Sequence, residues 1–327
     1  MSANSLSVRL LFAVILSGVT LISGMTSVRT FPSGIVRYVV PDTPGSGGDV
    51  MGRIIANAMT ESFSQQVIVD NRAGASSNLG AEFVARAPAD GYTMLAVSTT
   101  LSANASLYKN LGYDLGRDFA PVTQLALTPH VLIVHPSLPV KTVAEFIKLA
   151  KSQPGTINYS SPGSGTSAFI PAEIFRRVVD VNIVHVPYKG GGPALQAVVS
   201  GEVQSYFAPV LTALPQIKQG TVRPLALTSM QRLPLLPDLQ TLAELGIPGI
   251  DFSNALGLMV PAKTSPENIA ILHRTAVTAL KKPEVAKRIN ELGAIVVASS
   301  SAEYGAFVKK EMATLADLFK KGNVTPD

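Results

Sequence analysis

Two hydrophobic patterns alternate along the chain: short β-branched runs, and longer segments whose apolar positions recur at helical spacing. The run at 35–40 predicts a strand because it is rich in β-branched residues. A helix is predicted after it, since Val50, Ile54 and Ala58 recur about one turn apart. Between them lies the loop 41–49, with two prolines and three glycines. This order predicts a strand, a glycine-rich turn and a helix N-terminus.

The same alternation continues through most of the chain. Further strands are predicted at 66–70, 92–97, 131–135, 157–160, 184–188, 203–207 and 225–227. Helices are predicted at 79–86, 142–152, 173–178 and 194–199, and after the capping pairs Thr241 with Glu244, Ser265 with Pro266, and Ser300 with Glu303. Strands that alternate with helices predict an α/β fold with mostly parallel sheets. Pro136 and Pro139 break the chain after a strand, which predicts a crossing into a second lobe.

Composition excludes several classes of protein. A chain of 327 residues that is 46% hydrophobic can form one large domain or two medium ones. The net charge of +5 is spread along the chain without a basic stripe, so we expect no nucleic-acid partner. There is no cysteine, which excludes disulfides and thiolate chemistry.

The N-terminus has the pattern of a secretory signal. Arg9 precedes the apolar run 10–16, and small residues follow to Gly24. We predict a signal peptide over 1–26 that is cleaved on export. A retained membrane anchor is the alternative, although the apolar run is shorter than the roughly 20 residues that span a bilayer. The absence of a lipobox cysteine excludes a lipoprotein.

Two glycine-rich loops predict a site for an anion. The loops 45–49 and 161–167 each join a predicted strand to a helix, where bare N–H groups and the helix dipole favour negative charge. A tight turn that binds nothing is the alternative for either loop alone. Desolvating a carboxylate costs several kcal/mol, and each charge-assisted hydrogen bond returns roughly 1.5–3 kcal/mol. At least three donors are therefore needed, which two facing loops supply more easily than one.

Two further segments are predicted to join these loops. The hydroxyl cluster 98–100 follows a predicted parallel strand, whose carboxyl end is where open α/β sheets bind ligands. The segment 188–190 follows another strand. The predicted ligand-binding residues are Gly45, Ser46, Gly47, Gly48, Asp49, Ser98, Thr99, Thr100, Ser161, Gly163, Ser164, Gly165, Thr166, Tyr188, Lys189 and Gly190.

Four side chains near these loops have two interpretations each. Asp49 either caps its helix or contacts the ligand, in which case a positive group of the ligand is the expected target. Tyr188 belongs either to the core or to the cleft wall. We interpret His185 as structural rather than as a ligand of a metal or substrate, and Lys189 as a loop-tip charge rather than a catalytic amine.

No complete catalytic, metal or cofactor pattern is present in the sequence. The loops match neither a nucleophile elbow, a phosphate-binding loop nor a dinucleotide fingerprint, and the four histidines lack metal spacing. We therefore predict no catalytic residues, no cofactor and no metal. The rival prediction is a hydrolase with Ser164 or Ser161 as nucleophile and His185 as base. A third possibility is a ligand sensor that acts on a membrane signalling protein.

From about Val36 to the C-terminus the chain resembles the Bug family, the TctC-type substrate-binding proteins of tripartite tricarboxylate transporters in Gram-negative bacteria. The matching blocks are 44–49, 70–74, 90–93, 118–122, 135–139, 158–165, 185–190, 235–238 and 257–262. Asp42 departs from the family pattern, which commonly has an aromatic residue there, so the side chains that select the ligand are expected to be unusual.

The resemblance implies a type II periplasmic binding protein with two lobes that close on a small solute, usually a carboxylate. We expect one lobe to comprise 32–133 and 230–327, and the other 134–229, with the cleft between them. In such proteins the two glycine-rich loops hold the carboxylate through backbone groups and water. The resemblance also implies a periplasmic location and delivery to a permease pair of the TctA/TctB type. We expect a monomer.

Overall fold

A mixed sheet with helices on its faces forms the part of the chain after Ser33. The structure, a computed structural model, describes residues 31–247, 250, 252–322 and 324–325. The predicted signal peptide, 1–26, lies outside these residues. None of the helices within the described ranges has the length and apolar character needed to span a bilayer.

The strands and helices mostly alternate as the hydrophobic pattern predicts, but the strands at 253–261 and 295–296 and the helices at 99–107, 210–219 and 283–291 were not predicted. The strands are β1 Val36–Val40, β2 Val67–Asn71, β3 Thr93–Ser98, β4 Phe119–Val134, β5 Asn158–Ser161, β6 Val184–Pro187, β7 Ser205–Pro209, β8 Arg223–Leu227, β9 Ser253–Pro261 and β10 Ile295–Val296. The helices are α1 Gly47–Phe63, α2 Asn78–Ala85, α3 Thr99–Leu107, α4 Val143–Ser152, α5 Phe169–Val178, α6 Gly191–Val199, α7 Val210–Gln219, α8 Pro266–Lys281, α9 Pro283–Glu291 and α10 Ser301–Gly322.

The sheet is parallel toward both ends and antiparallel in the middle. Its order is β2-β1-β3-β9-β4-β7-β5-β6, and β8 and β10 also pair with β4. β1 is parallel to β2 and β3, and β5 is parallel to β6 and β7. The long strand β4 is antiparallel to each of its partners in the described sheet. The predicted α/β fold is confirmed, and its parallel units are joined by antiparallel strands.

Strand β4 connects the two parallel parts of the sheet. Its first portion, up to Pro129, pairs with β9, whereas the portion from His130 onward pairs with β7 and β8. The pairing thus changes shortly before the lobe boundary that we predicted at 133/134. Separate apolar clusters pack on the two parts: one includes Val39, Leu95 and Tyr304, and another includes Phe146 and Phe175.

The capping residues recognised in the sequence correctly predicted most of the helix starts that they marked. Thr142 and Glu145 form the predicted capping box of α4. Ser265 caps α8 with Pro266 in its first turn, and the pair Ser300 and Glu303 forms reciprocal hydrogen bonds at the start of α10.

The helix predicted after Thr241 and Glu244 is wrong. The two residues do exchange hydrogen bonds of 2.8 and 3.1 Å, yet the segment is a single turn. Gly246 adopts a left-handed conformation with φ of 76°, which ends the turn before a second one forms.

Candidate functional site

A cavity of about 560 Å³ lies at the carboxyl ends of the parallel strands. It is lined by segments that follow β1, β2, β3, β5, β6 and β7, together with Thr128, Asn254 and Leu256 from the central antiparallel strands. Because the carboxyl ends of parallel strands are the usual ligand sites of α/β sheets, this cavity is the candidate site.

The predicted residues divide between the cavity lining and the layer behind it. The lining includes Ser46, Gly47, Gly48, Ser98, Thr100, Gly163, Thr166, Tyr188, Lys189 and Gly190. Outside the lining are Gly45, Asp49, Thr99, Ser161, Ser164 and Gly165. Both glycine-rich loops therefore contribute to one shared cavity, as their sequence predicted.

The first loop is held in shape by Asp49. Ser46 is the N-cap of α1 and accepts a hydrogen bond from the Asp49 N–H at 3.2 Å. The Asp49 carboxylate accepts from the Gly45 N–H at 2.9 Å and from Arg53 Nε at 3.0 Å. Burial alone would raise the pKa of Asp49, but the hydrogen bonds from Arg53 and Gly45 lower it below the usual value. The sequence left two roles for Asp49, capping the helix or contacting the ligand. Its observed contacts are structural, because the carboxylate holds the start of α1 and the loop before it.

The Asp49 contacts leave the backbone donors of α1 available. The N–H groups of Gly47 and Gly48 have no hydrogen-bond partner among the described residues, and both glycines line the cavity. Free donors are expected at a helix N-terminus, since the first N–H groups lack carbonyls one turn earlier.

A second segment, 73–77, lines the cavity although it was not among the predicted site residues. Gly74, Ala75, Ser76 and Ser77 all have positive φ, between 46° and 130°. The N–H groups of Ala75, Ser76 and Ser77 have no partner within the described ranges. Successive unpaired N–H groups in a turn can form a concave anion site. This segment follows β2, parallel to β1, so the shared sheet edge was the signal that could have identified it.

The loop after β5 is supported by Ser161. Its hydroxyl accepts a hydrogen bond from the Gly163 N–H at 3.0 Å and lies 2.6 Å from His185 Nε2. The His185 ring stacks on Tyr159, with a centroid distance of 5.0 Å. Ser161 is fully buried, so these contacts fix the loop from behind the cavity.

The residues after β6 complete the far wall. The Tyr188 hydroxyl donates to Glu202 at 3.0 Å while the residue also lines the cavity, so Tyr188 belongs to the wall. Lys189 is exposed at the loop tip. Gly190 has φ of 126°, and a Cβ there would lie 2.7 Å from Thr43 Oγ1 in the first loop. The loops after β1 and β6 therefore touch each other at the cavity.

The electrostatic environment favours a negatively charged occupant. Helices α1, α2, α3, α5, α6 and α7 all begin beside the cavity, and each N-terminus carries partial positive charge. Thr43 Oγ1 and Thr128 Oγ1 are buried without a hydrogen-bond partner in the described part of the chain. Tyr206 lines the cavity at 1% exposure, and burial raises the pKa of its hydroxyl. Helix dipoles and hydroxyls thus supply most of the polar character of the described lining.

Only Asp42 and Lys189 carry charge among the described lining residues. Asp42 accepts a hydrogen bond from the Thr43 N–H at 2.8 Å. Burial raises the pKa of the Asp42 carboxyl, and hydrogen bonds from Thr43 and Ser46 oppose this only in part. The sequence marked Asp42 as a departure from the family pattern without assigning it to the site.

Comparisons with known proteins identify the family of the chain. The family described as tripartite tricarboxylate transporter family receptor matches residues 51–324. A Pseudomonas sp. (strain P51) protein, the UPF0065 protein in the tcbD-tcbE intergenic region, is 35% identical over 94% of this chain and 90% of its own.

Solved structures give the same result. Rpa4515 of R. palustris, solved with adipate, is 33% identical with a TM-score of 0.88, covering 91% of this chain and all of that one. MatC of Rhodopseudomonas palustris, solved with bound malate, is 30% identical with a TM-score of 0.83 over 88% of this chain and 99% of its own. The periplasmic binding protein BugD is 30% identical with a TM-score of 0.86 over 90% of this chain and 99% of its own, so the fold of the chain is that of periplasmic binding proteins.

Proposed function

Because the chain belongs to the tripartite tricarboxylate transporter receptor family, we propose that it is a periplasmic protein that captures a small carboxylate in the cavity described above. The two related structures solved with adipate and malate support this class of ligand. Capture would serve delivery to a membrane permease pair, with the protein acting as a monomer.

One observation carries the proposal: backbone donors from separate loops meet at one cavity. The free N–H groups of Gly47 and Gly48 lie on one loop, and those of Ala75, Ser76 and Ser77 on another. These five N–H groups are more than the three donors needed to offset the desolvation of a carboxylate, since each charge-assisted hydrogen bond returns roughly 1.5–3 kcal/mol.

The proposed mechanism is closure of two lobes around the solute, with the lobes divided as the sequence predicts. The loops that meet across the cavity support this. Thr43 contacts Gly190, and the Ser167 N–H donates to Thr100 Oγ1 at 3.1 Å. A ligand that contacts both sides would favour the closed state by its differential affinity for it. The 16 residues predicted from sequence would act in two groups, those that touch the solute and those that support the loops.

Isothermal titration tests the proposal directly. The purified protein would be titrated with mono-, di- and tricarboxylates and with amino acids, after any co-purifying solute has been removed by partial unfolding and refolding. We expect saturable binding of at least one carboxylate. A folded protein, verified by circular dichroism, that binds none of them would overturn the proposal.

Export is tested separately. We propose that 1–26 is a signal peptide and that the mature protein is released into the periplasm. Cell fractionation followed by N-terminal sequencing should give a soluble periplasmic product that begins near residue 27. A full-length product in the membrane fraction would instead support the retained anchor.

A second candidate function, hydrolysis, is favoured by one distance, the 2.6 Å between Ser161 Oγ and His185 Nε2. Such a pair can activate a serine. The position of Ser161 argues against it, because the residue is fully buried and outside the cavity lining. A serine-directed fluorophosphonate probe separates the two functions. Covalent labelling of Ser161 would support hydrolysis, whereas an unlabelled protein that binds carboxylates supports capture.

A further inference from the structure

Asp42 is a carboxylate in a cavity otherwise suited to anions. Asp42 lines the cavity from the loop after β1, a few residues before the free N–H groups at the start of α1. Its side chain is anchored through the Thr43 N–H at 2.8 Å, and its backbone carbonyl accepts from Asn71 Nδ2 at 3.2 Å. The carboxylate therefore has a defined position in the wall.

The neighbouring carboxylates are neutralised by arginines, but Asp42 is not. Asp49 pairs with Arg53 at 2.9 Å. Asp70 pairs with Arg37 at 3.1 Å and with Arg72 at 2.9 Å. No such cation lies within 4.0 Å of Asp42 among the described residues. Beyond burial, the charged residue that influences Asp42 is Asp49, which has the same sign and so raises the pKa of Asp42.

A partly buried carboxylate without a cationic partner is costly, and a cation supplied by the ligand would remove that cost. Within the cavity, the free N–H groups of the left-handed segment 73–77 remain available for the ligand's own carboxylate. The volume of about 560 Å³ accommodates a solute with two separated polar ends.

We propose that the preferred solute carries a protonated amine in addition to its carboxylate, and that Asp42 pairs with this ammonium group. The inference rests on the proposed function, since it assigns the second end of a ligand whose first end is a carboxylate. It places selection between dicarboxylates and amino acids on one side chain of the first loop.

Ligand pairs of equal length test the inference. Glutarate would be compared with 4-aminobutyrate, adipate with 5-aminopentanoate, and glutarate with glutamate, each by isothermal titration. We expect the amine-bearing member of at least one pair to bind more tightly. In Asp42→Asn, binding of that member should weaken by roughly tenfold or more, while binding of the matched dicarboxylate should be unchanged or stronger.

Asp238→Asn is the matched control, because it removes the same charge from an exposed position outside the cavity lining. It should leave both members of each pair unaffected. Thermal melts of both variants verify that they are folded.

The outcomes separate the inference from the function on which it rests. Tighter binding of dicarboxylates to the native protein, with amine-bearing ligands unaffected by Asp42→Asn, would overturn the inference and leave the function standing. That pattern would fit a protonated Asp42 that donates to a second carboxylate, a role that asparagine keeps. If no carboxylate of either type binds the folded protein, both the function and the inference fail.

Discussion

Gly165 offers a test of whether the loop after β5 closes against α3. A Cβ at this position would lie 2.1 Å from Leu107 Cδ1, and Gly165 has φ of 79°. Leu107 is buried at the end of α3 and packs in a cluster with Ile170 and Phe252, so it has little room to move. Gly165→Ala therefore introduces two separate penalties, backbone strain and a clash.

The two penalties differ in the state that they affect. Left-handed strain costs an alanine about 1–2 kcal/mol whether the lobes are open or closed, so it lowers stability alone. Overpacking costs about 1–3 kcal/mol and arises only where the loop meets Leu107. If that contact forms on closure, the clash appears in the binding free energy. We expect the affinity for the solute to weaken by roughly 5- to 150-fold.

Gly155→Ala is a close control. Gly155 has φ of 77°, and its Cβ would lie no nearer than 3.7 Å, to Asn182 Nδ2, in an exposed turn. It should lower the melting temperature without changing affinity. Isothermal titration and thermal melts of both variants separate the backbone strain from the clash. Adding Leu107→Ala to Gly165→Ala removes the clashing side chain and should restore part of the lost affinity. Native affinity in Gly165→Ala, with a melting temperature like that of Gly155→Ala, would refute the reasoning.

Three further predictions concern residues behind the cavity. Ser161→Ala should destabilise the fold by about 1–3 kcal/mol in urea titrations, because the buried Gly163 N–H loses its acceptor; unchanged stability would contradict the supporting role. The pKa of Asp49 lies below its unfolded value of 3.8, so its contribution to stability is present above pH 3.8 and lost as the pH falls through the folded-state pKa. Asp49→Asn should therefore melt at a lower temperature than the native protein at pH 6 and differ from it less at pH 2; an equal difference at both would disprove the linkage. Gly257→Ala should lower the melting temperature strongly, because its Cβ would lie 2.1 Å from the ring of the buried Tyr304. At a temperature where this variant is folded, it should bind the solute with native affinity.

The α/β alternation and the shared cavity were readable from sequence because both depend on local patterns. The loops 45–49 and 161–167 each follow a strand and precede a helix, so topology brings them to the same sheet edge. The full length of β4 was not readable, since only 131–135 was predicted as a strand. Its prolines hide it: Pro121 lies at a register shift and Pro129 at the change of partner strand, two positions where a strand tolerates proline.

The direction of the side chains was the main feature of the site that could not be predicted from the sequence. Asp49, Thr99 and Ser161 lie in the predicted site segments, but their polar atoms bond to loops, a strand and helices behind the cavity. A loop position predicts proximity to a ligand, whereas the direction of the side chain depends on tertiary partners. The segment 73–77 was missed for a related reason. Ala75, Ser76 and Ser77 adopt left-handed conformations that residues with a Cβ seldom occupy.

These outcomes separate the general from the specific part of recognition in this protein. Under the proposed function, the backbone N–H groups at Gly47, Gly48 and in the segment 73–77 would attract any carboxylate, because they depend on loop shape and helix dipoles rather than on side chains. On that proposal, selectivity would come from the few lining side chains that differ in charge or hydrogen bonding, chiefly Asp42 and Tyr206. Substitutions at the glycines should therefore weaken all ligands together, whereas Asp42→Asn should change their order.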